Sequence, residues 1–236
     1  MRKAATHIVT HLWMLLLIIA FCDVSARGAE VTATIEVEHR ESRLASPANV
    51  VVWLTPVDSA MTKSPPKLAA KLLQKDKQFQ PHLLVVPTGT SVEFPNLDPF
   101  FHNVFSLFNG KRFDLGLYEA GTHRSVVFDR EGVSYIFCNI HPEMAAIVIT
   151  LNSPWFGISD SSGSVVIRDV PPGRYHLHVW AEQLALSSPV TEGEVLRVPT
   201  ENYELGMIQF RPVKSALVHH KNKFGKDYLP ESISPY

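Results

Sequence analysis

Apolar and polar positions alternate with a period of two along much of this chain, a pattern that predicts strands. Residues 31–38 run Val-Thr-Ala-Thr-Ile-Glu-Val-Glu, and residues 49–54 are a β-branched run around Trp53. From His82 a series of short apolar runs follows at 82–86, 91–94, 103–107, 125–128, 133–137 and 145–150, broken by turn signals such as Pro87-Thr88-Gly89. Strands this short, with turns roughly every eight to twelve residues, predict an antiparallel β-sandwich. Beyond them, Asp160-Ser161-Ser162-Gly163 and Pro171-Pro172-Gly173 read as turns around strands at 165–167 and 175–180, with further strand expected at 195–198 and 204–210. Between residues 58 and 78 the chain turns polar and basic, and Pro66 ahead of residues 67–73 predicts a linker with one short helix.

The first residues follow a different pattern. Arg2 and Lys3 precede an apolar run at 12–21, and Val24-Ser25-Ala26 offers small side chains, so residues 1–26 are expected to be a secretory signal peptide cut near Ala26. An apolar helix of that length spans ~15 Å, about half a bilayer core, which disfavours a permanent anchor. Lipidation at Cys22 is disfavoured by the bulky Phe21 before it. The mature chain is expected to have no transmembrane segment and to be secreted or periplasmic. With 45% hydrophobic and 19% charged residues the 236-residue chain can bury a core, and a formal net charge of −1 gives no basis for a nucleic-acid partner.

Cleavage near Ala26 would leave Cys138 as the only thiol in an oxidising compartment. A buried inert thiol, an intermolecular disulfide, a nucleophile and a metal ligand are all open to it. Its neighbours bear on the choice. Cys138, His141 and Met144 space a thiol, an imidazole and a thioether so that one loop can wrap all three around an ion. Thiolate and thioether are soft ligands and imidazole is intermediate; two His, one Cys and a weak axial Met form the set used by electron-transfer copper. His102, at the entrance of a predicted strand after a Pro-containing loop, is the candidate for the second imidazole. Structural zinc wants four closed ligands, usually with several Cys. A nucleophilic Cys138 activated by His102 or His141 has no obvious orienting acid or oxyanion loop. Covalent haem lacks its second Cys.

His102-Asn103-Val104 together with Cys138-x2-His141-x2-Met144 resembles the type 1 copper motif of the cupredoxins, in its amicyanin- and plastocyanin-like form, over about residues 79–151. Residues 86–96 resemble the strand entering the copper half of those domains, and residues 132–138 the strand leading to the Cys ligand. The wider sequence is similar to bacterial cupredoxin-like proteins labelled methylamine utilization proteins. The resemblance implies one mononuclear type 1 (blue) copper held by His102, Cys138, His141 and Met144, with Asn103 tying the two ligand loops together. It implies no catalytic residues: an electron carrier, not an enzyme, passing single electrons between redox partners such as a cytochrome or a dehydrogenase-like protein. His141 at the loop apex would be the exit route, inside an apolar docking patch of Phe100, Phe101, Phe105 and Pro142. The alternative is a copper-binding or protein- or glycan-binding β-sandwich module in which the metal is structural, stored or delivered.

Residues 160–180 resemble the carboxypeptidase regulatory-like, transthyretin-type sandwich, and residues 50–54 an early strand of it. The expected fold is all-β. A Greek-key cupredoxin β-sandwich at 79–151 is combined with a second small Ig/transthyretin-like sandwich made of 27–57 plus 154–212, and a basic tail follows at 213–236. Among the other histidines, His82 is expected to be structural and His123 solvated; His176 and His178 share a strand face without a clear third ligand, and His219-His220 lie in a solvated tail.

Overall fold

A computed structural model describes residues 28–38, 46–58, 69–107, 110–186, 193–213 and 220–228. Among them every regular element is a strand, and the alternation in the sequence becomes the burial pattern. Along β1 (Ala29–Val37) the side chains of Ala29, Val31, Ala33, Ile35 and Val37 are buried and those between them are not. This strand lies between β14 (Ser164–Val170), antiparallel, and β18 (Tyr203–Pro212), parallel, with β16 (Leu184–Leu186) at the edge. A second four-stranded sheet runs in the order β13 (Phe156–Ile158), β2 (Val51–Pro56), β15 (Gly173–Trp180) and β17 (Val195–Val198). The two sheets, built from both ends of the described chain, close on Val52, Leu54, Ile167, Leu177, Ile208 and Phe210.

The middle of the chain builds another sandwich. Its larger sheet has the order β6 (Leu83–Pro87), β12 (Ala145–Leu151), β11 (Gly132–Phe137), β8 (His102–Ser106) and β9 (Phe113–Tyr118). Opposite lies a sheet of β10 (His123–Phe128), β7 (Thr90–Pro95) and β3 (Ala69–Lys71), with a small hairpin of β4 (Leu73–Lys75) and β5 (Gln78–Gln80) beside it. Between them Val92, Phe94, Val104, Phe128, Ile136 and Val148 form a core that includes Cys138 and Met144.

The sandwiches stack on each other, and β12 shows why the sequence allows it. Ala146 and Val148 belong to the core just described, whereas Ile147, Ile149 and Leu151 pack with Val51 and Leu83, against Trp53 and Trp180. A strand covered on both faces must be apolar at consecutive positions, so the unbroken run here is the signature of an inner layer.

The helix expected in the linker does not form over the described residues: Ala69–Lys71 and Leu73–Lys75 are strands, and residues 67 and 68 lie outside the described residues. Helix propensity is worth only tenths of a kcal/mol per residue. Against it stand a parallel ladder in which Ala70 faces Val92, a Lys71–Glu93 ion pair at 3.1 Å, and Leu72 buried completely in the core. The middle sandwich thus draws strands from residue 69 onward, earlier than residue 79. Residues 1–26, His219 and most of the remaining tail lie outside the described residues, but residues 220–228 pack on the body instead of standing in solvent as expected.

Candidate metal centre

His102 opens β8 at the end of a loop that its own polar side chains shape. Asn96 Nδ2 donates to the carbonyls of Phe100 at 2.8 Å and Tyr118 at 3.3 Å, while Asn96 Oδ1 accepts the Asp98 amide at 3.1 Å. Asp98 then accepts the amides of Asp76 at 2.6 Å and Lys77 at 3.0 Å from the β4–β5 turn. Its Oδ2 also accepts from His102 Nε2–H at 2.8 Å. A carboxylate only accepts, so Nε2 must hold the proton and the lone pair of the neutral ring sits on Nδ1. Burial alone would raise the Asp98 carboxyl, but the bonds from His102, Lys77 and Asp76 outweigh it and hold the group below its ordinary range. Burial lowers His102 against the pull of Asp98.

Cys138 follows the last residue of β11, and the loop after it folds on itself: Met144 N–H donates to the His141 carbonyl at 3.1 Å and Cys138 N–H to the Met144 carbonyl at 3.2 Å. That closure brings His141 back over Cys138. Cys138 Sγ stands 3.8 Å from His102 Nδ1 and 3.6 Å from His141 Nδ1, and the two nitrogens are 3.1 Å apart. His102 and Cys138 are wholly buried and His141 is 5% exposed. Burial pushes the Cys138 thiol up, while the backbone N–H groups of Asn103, Ile140 and His141 hydrogen-bond the sulfur and pull the other way.

The residues present fit a metal ion. Bonds of about 2.0–2.3 Å from a first-row ion, spread at roughly 100–120°, set N and S donors about 3.1–3.9 Å apart, the spacing seen here. The three are also the one group of His, Cys, Asp or Glu side chains with metal-ligand spacing among the described residues. Met144 is fully buried in the same core. Asn103 makes its tie to Cys138 through the backbone N–H; its side chain turns to Asp114 Oδ1 on β9 at 2.7 Å.

The expected docking patch is only partly a surface. Phe105 is wholly buried and packs on Phe137, centroids 5.9 Å apart, because β8 is an inner strand whose five residues are all buried. Phe101 and Pro142 are exposed, and Phe100 is half-buried with its ring 5.2 Å from His102 and 5.6 Å from His141. The side chain of His141, expected at the loop apex as the exit route, is 5% exposed.

Asp98 escaped the sequence reading. Its only signal was its place four residues before His102, and several loop polar groups could equally have met that ring. It supplies the orienting acid that a nucleophilic Cys138 lacked, in a row Asp98, His102, Cys138. The thiol nevertheless has no exposed surface and its proton is held more tightly than usual, both contrary to what a nucleophile needs. The other histidines make ordinary contacts. His82 bridges Glu182 and the Ala145 carbonyl, His176 Nδ1 donates to the Gly193 carbonyl, His178 bonds Thr55 Oγ1 and stacks on Trp53, and His123 is exposed.

No protein-family model matches the chain, and no curated protein matches it. Among solved structures, it is similar to a purple cupredoxin from Nitrosopumilus maritimus at 28% identity, covering 35% of this chain and 99% of that one with a TM-score of 0.32. It is similar to a copper-containing nitrite reductase from Thermus scotoductus at 23% identity, covering 42% of this chain and 28% of that one with a TM-score of 0.35. It is also similar to an amicyanin variant at 20% identity, covering 35% of this chain and 82% of that one with a TM-score of 0.33.

Proposed function

We propose that this chain is a copper electron carrier that holds one mononuclear type 1 ion between His102, Cys138 and His141, with Met144 as a weak fourth ligand. One observation carries the reading: two imidazole Nδ1 atoms and one sulfur converge within 3.8 Å of each other, with at most 5% of any of the three residues exposed. One thiolate with two imidazoles is a poor structural zinc site and suits copper in both of its common oxidation states. Bound copper supplies a one-electron couple. The protein supplies everything that keeps that couple ready. Asp98 fixes the His102 tautomer and ring orientation, which raises the constancy of the ligand geometry. Three backbone N–H groups spread the negative charge on the Cys138 sulfur, and the Phe100 ring lies against both imidazoles where water would otherwise reach them. Burial of all three donors keeps substrates from the metal and favours relay over catalysis.

The same proposal places the protein outside the cytoplasm, on the strength of the basic, apolar and small-residue order in residues 2–26, and among the methylamine utilization type on the wider sequence likeness. It gives the protein a redox protein as partner. It also treats the middle sandwich as a copper domain set into a carboxypeptidase regulatory-like one, a division supported by the outer sheets drawing strands from both ends of the chain.

The test is to express residues 27–236, add Cu(II), and record visible and electron paramagnetic resonance spectra beside those of Cys138→Ser. An intense thiolate-to-copper band with narrow hyperfine splitting, absent from the variant, is the expected result. A colourless protein with no signal dependent on Cys138 overturns the reading.

A further inference from the structure

Residues 220–228 belong to neither sandwich, yet they are bonded to the loop that carries Cys138 and His141. The Tyr228 hydroxyl donates to the Cys138 carbonyl at 2.8 Å. His220 Nε2–H donates to the Pro142 carbonyl at 2.8 Å, and its ring stacks on Phe137 with centroids 4.0 Å apart and planes 27° from parallel. Lys223 N–H donates to Asn139 Oδ1 at 3.0 Å. Its Nζ donates at 2.8 Å to Asp114 Oδ2, and the other oxygen of Asp114 accepts from Asn103 Nδ2 at 2.7 Å. One short segment therefore grips four residues from 137 to 142 and, through Asp114, the neighbour of His102.

The segment is braced before it grips anything. Asn222 N–H donates to the Lys226 carbonyl and Gly225 N–H to the Asn222 carbonyl, both at 2.9 Å, while Asn222 Oδ1 accepts the amides of Phe224 at 3.0 Å and Lys226 at 3.1 Å. Gly225 takes a φ of 73°, open to glycine at no steric cost, which lets the turn close. An already ordered turn loses little further freedom when it docks.

We propose that Tyr228 and His220 are positioning residues for the metal centre: the C-terminal segment clamps the stretch from 137 to 142 and sets where Cys138 Sγ and His141 Nδ1 stand relative to His102. The proposal rests on the copper reading above and adds to it a part of the chain that the ligand motif does not reach. Cys138 is anchored at its amide by Met144 and at its carbonyl by Tyr228, and a sulfur fixed from both sides of its own backbone has little room to drift.

The test uses residues 27–236, where Cys138 is the sole thiol, and compares Tyr228→Phe and His220→Phe with a control, Phe224→Ser, at a ring that is 69% exposed. Both Phe replacements keep an aromatic ring and delete hydrogen bonds. In metal-free protein the rate at which an aromatic disulfide reagent reaches Cys138 is expected to rise about two- to tenfold per bond lost. In copper-loaded protein the thiolate-to-copper band and the midpoint potential are expected to shift in both variants and in neither case for the control. Thiol rates within twofold of the parent in both variants overturn the clamp. Faster thiol rates with an unmoved band and potential overturn positioning and leave the segment a mere cover. If even the parent binds no copper, the copper reading fails, while the thiol rates still decide whether the clamp exists.

Discussion

Asp98 Oδ2 and His102 Nε2 share a hydrogen bond of 2.8 Å with the ring wholly buried and the carboxylate 5% exposed, so the acid decides which nitrogen of His102 faces Cys138. Asp98→Asn keeps the shape and removes the charge and the two-oxygen acceptor. Copper affinity is expected to fall about 10–100-fold, the usual cost of losing the group that orients a metal-bound His. The β4–β5 turn should survive, since the amide oxygen can still accept one N–H. A competition titration against a chelator measures the change, and an affinity equal to the parent's would remove Asp98 from the site's support.

Phe105 tests the difference between a docking surface and a core. As a fully buried ring on an inner strand, its truncation to Ala should cost about 3–5 kcal/mol of stability. Phe101, 42% exposed, should lose under about 0.5 kcal/mol on replacement by Ser. Urea unfolding of the two variants reads both numbers directly. A stable Phe105→Ala protein with slowed electron exchange would return Phe105 to the surface patch.

The sequence was most legible where one physical rule dominated. Period-two alternation announced β1, and the apolar residues 145–149 announced β12, though not that both of its faces would be buried. The converging donors were legible because His102, Cys138 and His141 sit at strand ends or in a seven-residue loop that only a tight turn can close. Residues 67–73 misled because their helix propensity is local and weak, while the pairing of β3 with β7 joins segments about twenty residues apart. Asp98, His220 and Tyr228 were invisible for a related reason. A hydrogen bond between Tyr228 and Cys138 spans 90 residues, and no periodicity or spacing records which carbonyl a distant hydroxyl will meet.

His82 sets a pH dependence on stability. Its Nε2 bonds Glu182 at 2.7 Å and its Nδ1 meets the Ala145 carbonyl at 3.2 Å, so both ring nitrogens face acceptors and the charged ring is favoured. The bond to Glu182 is the main reason its pKa lies above the ordinary 6.5. Because the folded value is raised, the stabilisation is complete below about pH 6.5 and is lost as pH climbs through the folded value. With 47% of the side chain exposed, solvent screening limits the pair to roughly 1 kcal/mol or less. Melting curves of the parent and His82→Gln should differ most at acid pH and converge in mild alkali; a gap that widens with pH would contradict the sign.

The layer shared by the sandwiches makes a last prediction about cooperativity. All three tryptophans beyond residue 26, Trp53, Trp155 and Trp180, lie in or beside the sandwich built from the chain's ends, whereas Cys138 lies in the other. Fluorescence and thiol accessibility therefore report on different halves. Because Val51, Leu83, Ile147, Ile149 and Leu151 form one buried cluster between them, both probes should follow a single coincident urea transition. Ile149→Ala should move that transition for both probes by about 2–5 kcal/mol, since the cavity it leaves touches both halves. Two separate transitions in the parent protein would mean that each sandwich folds alone and that the layer between them contributes little.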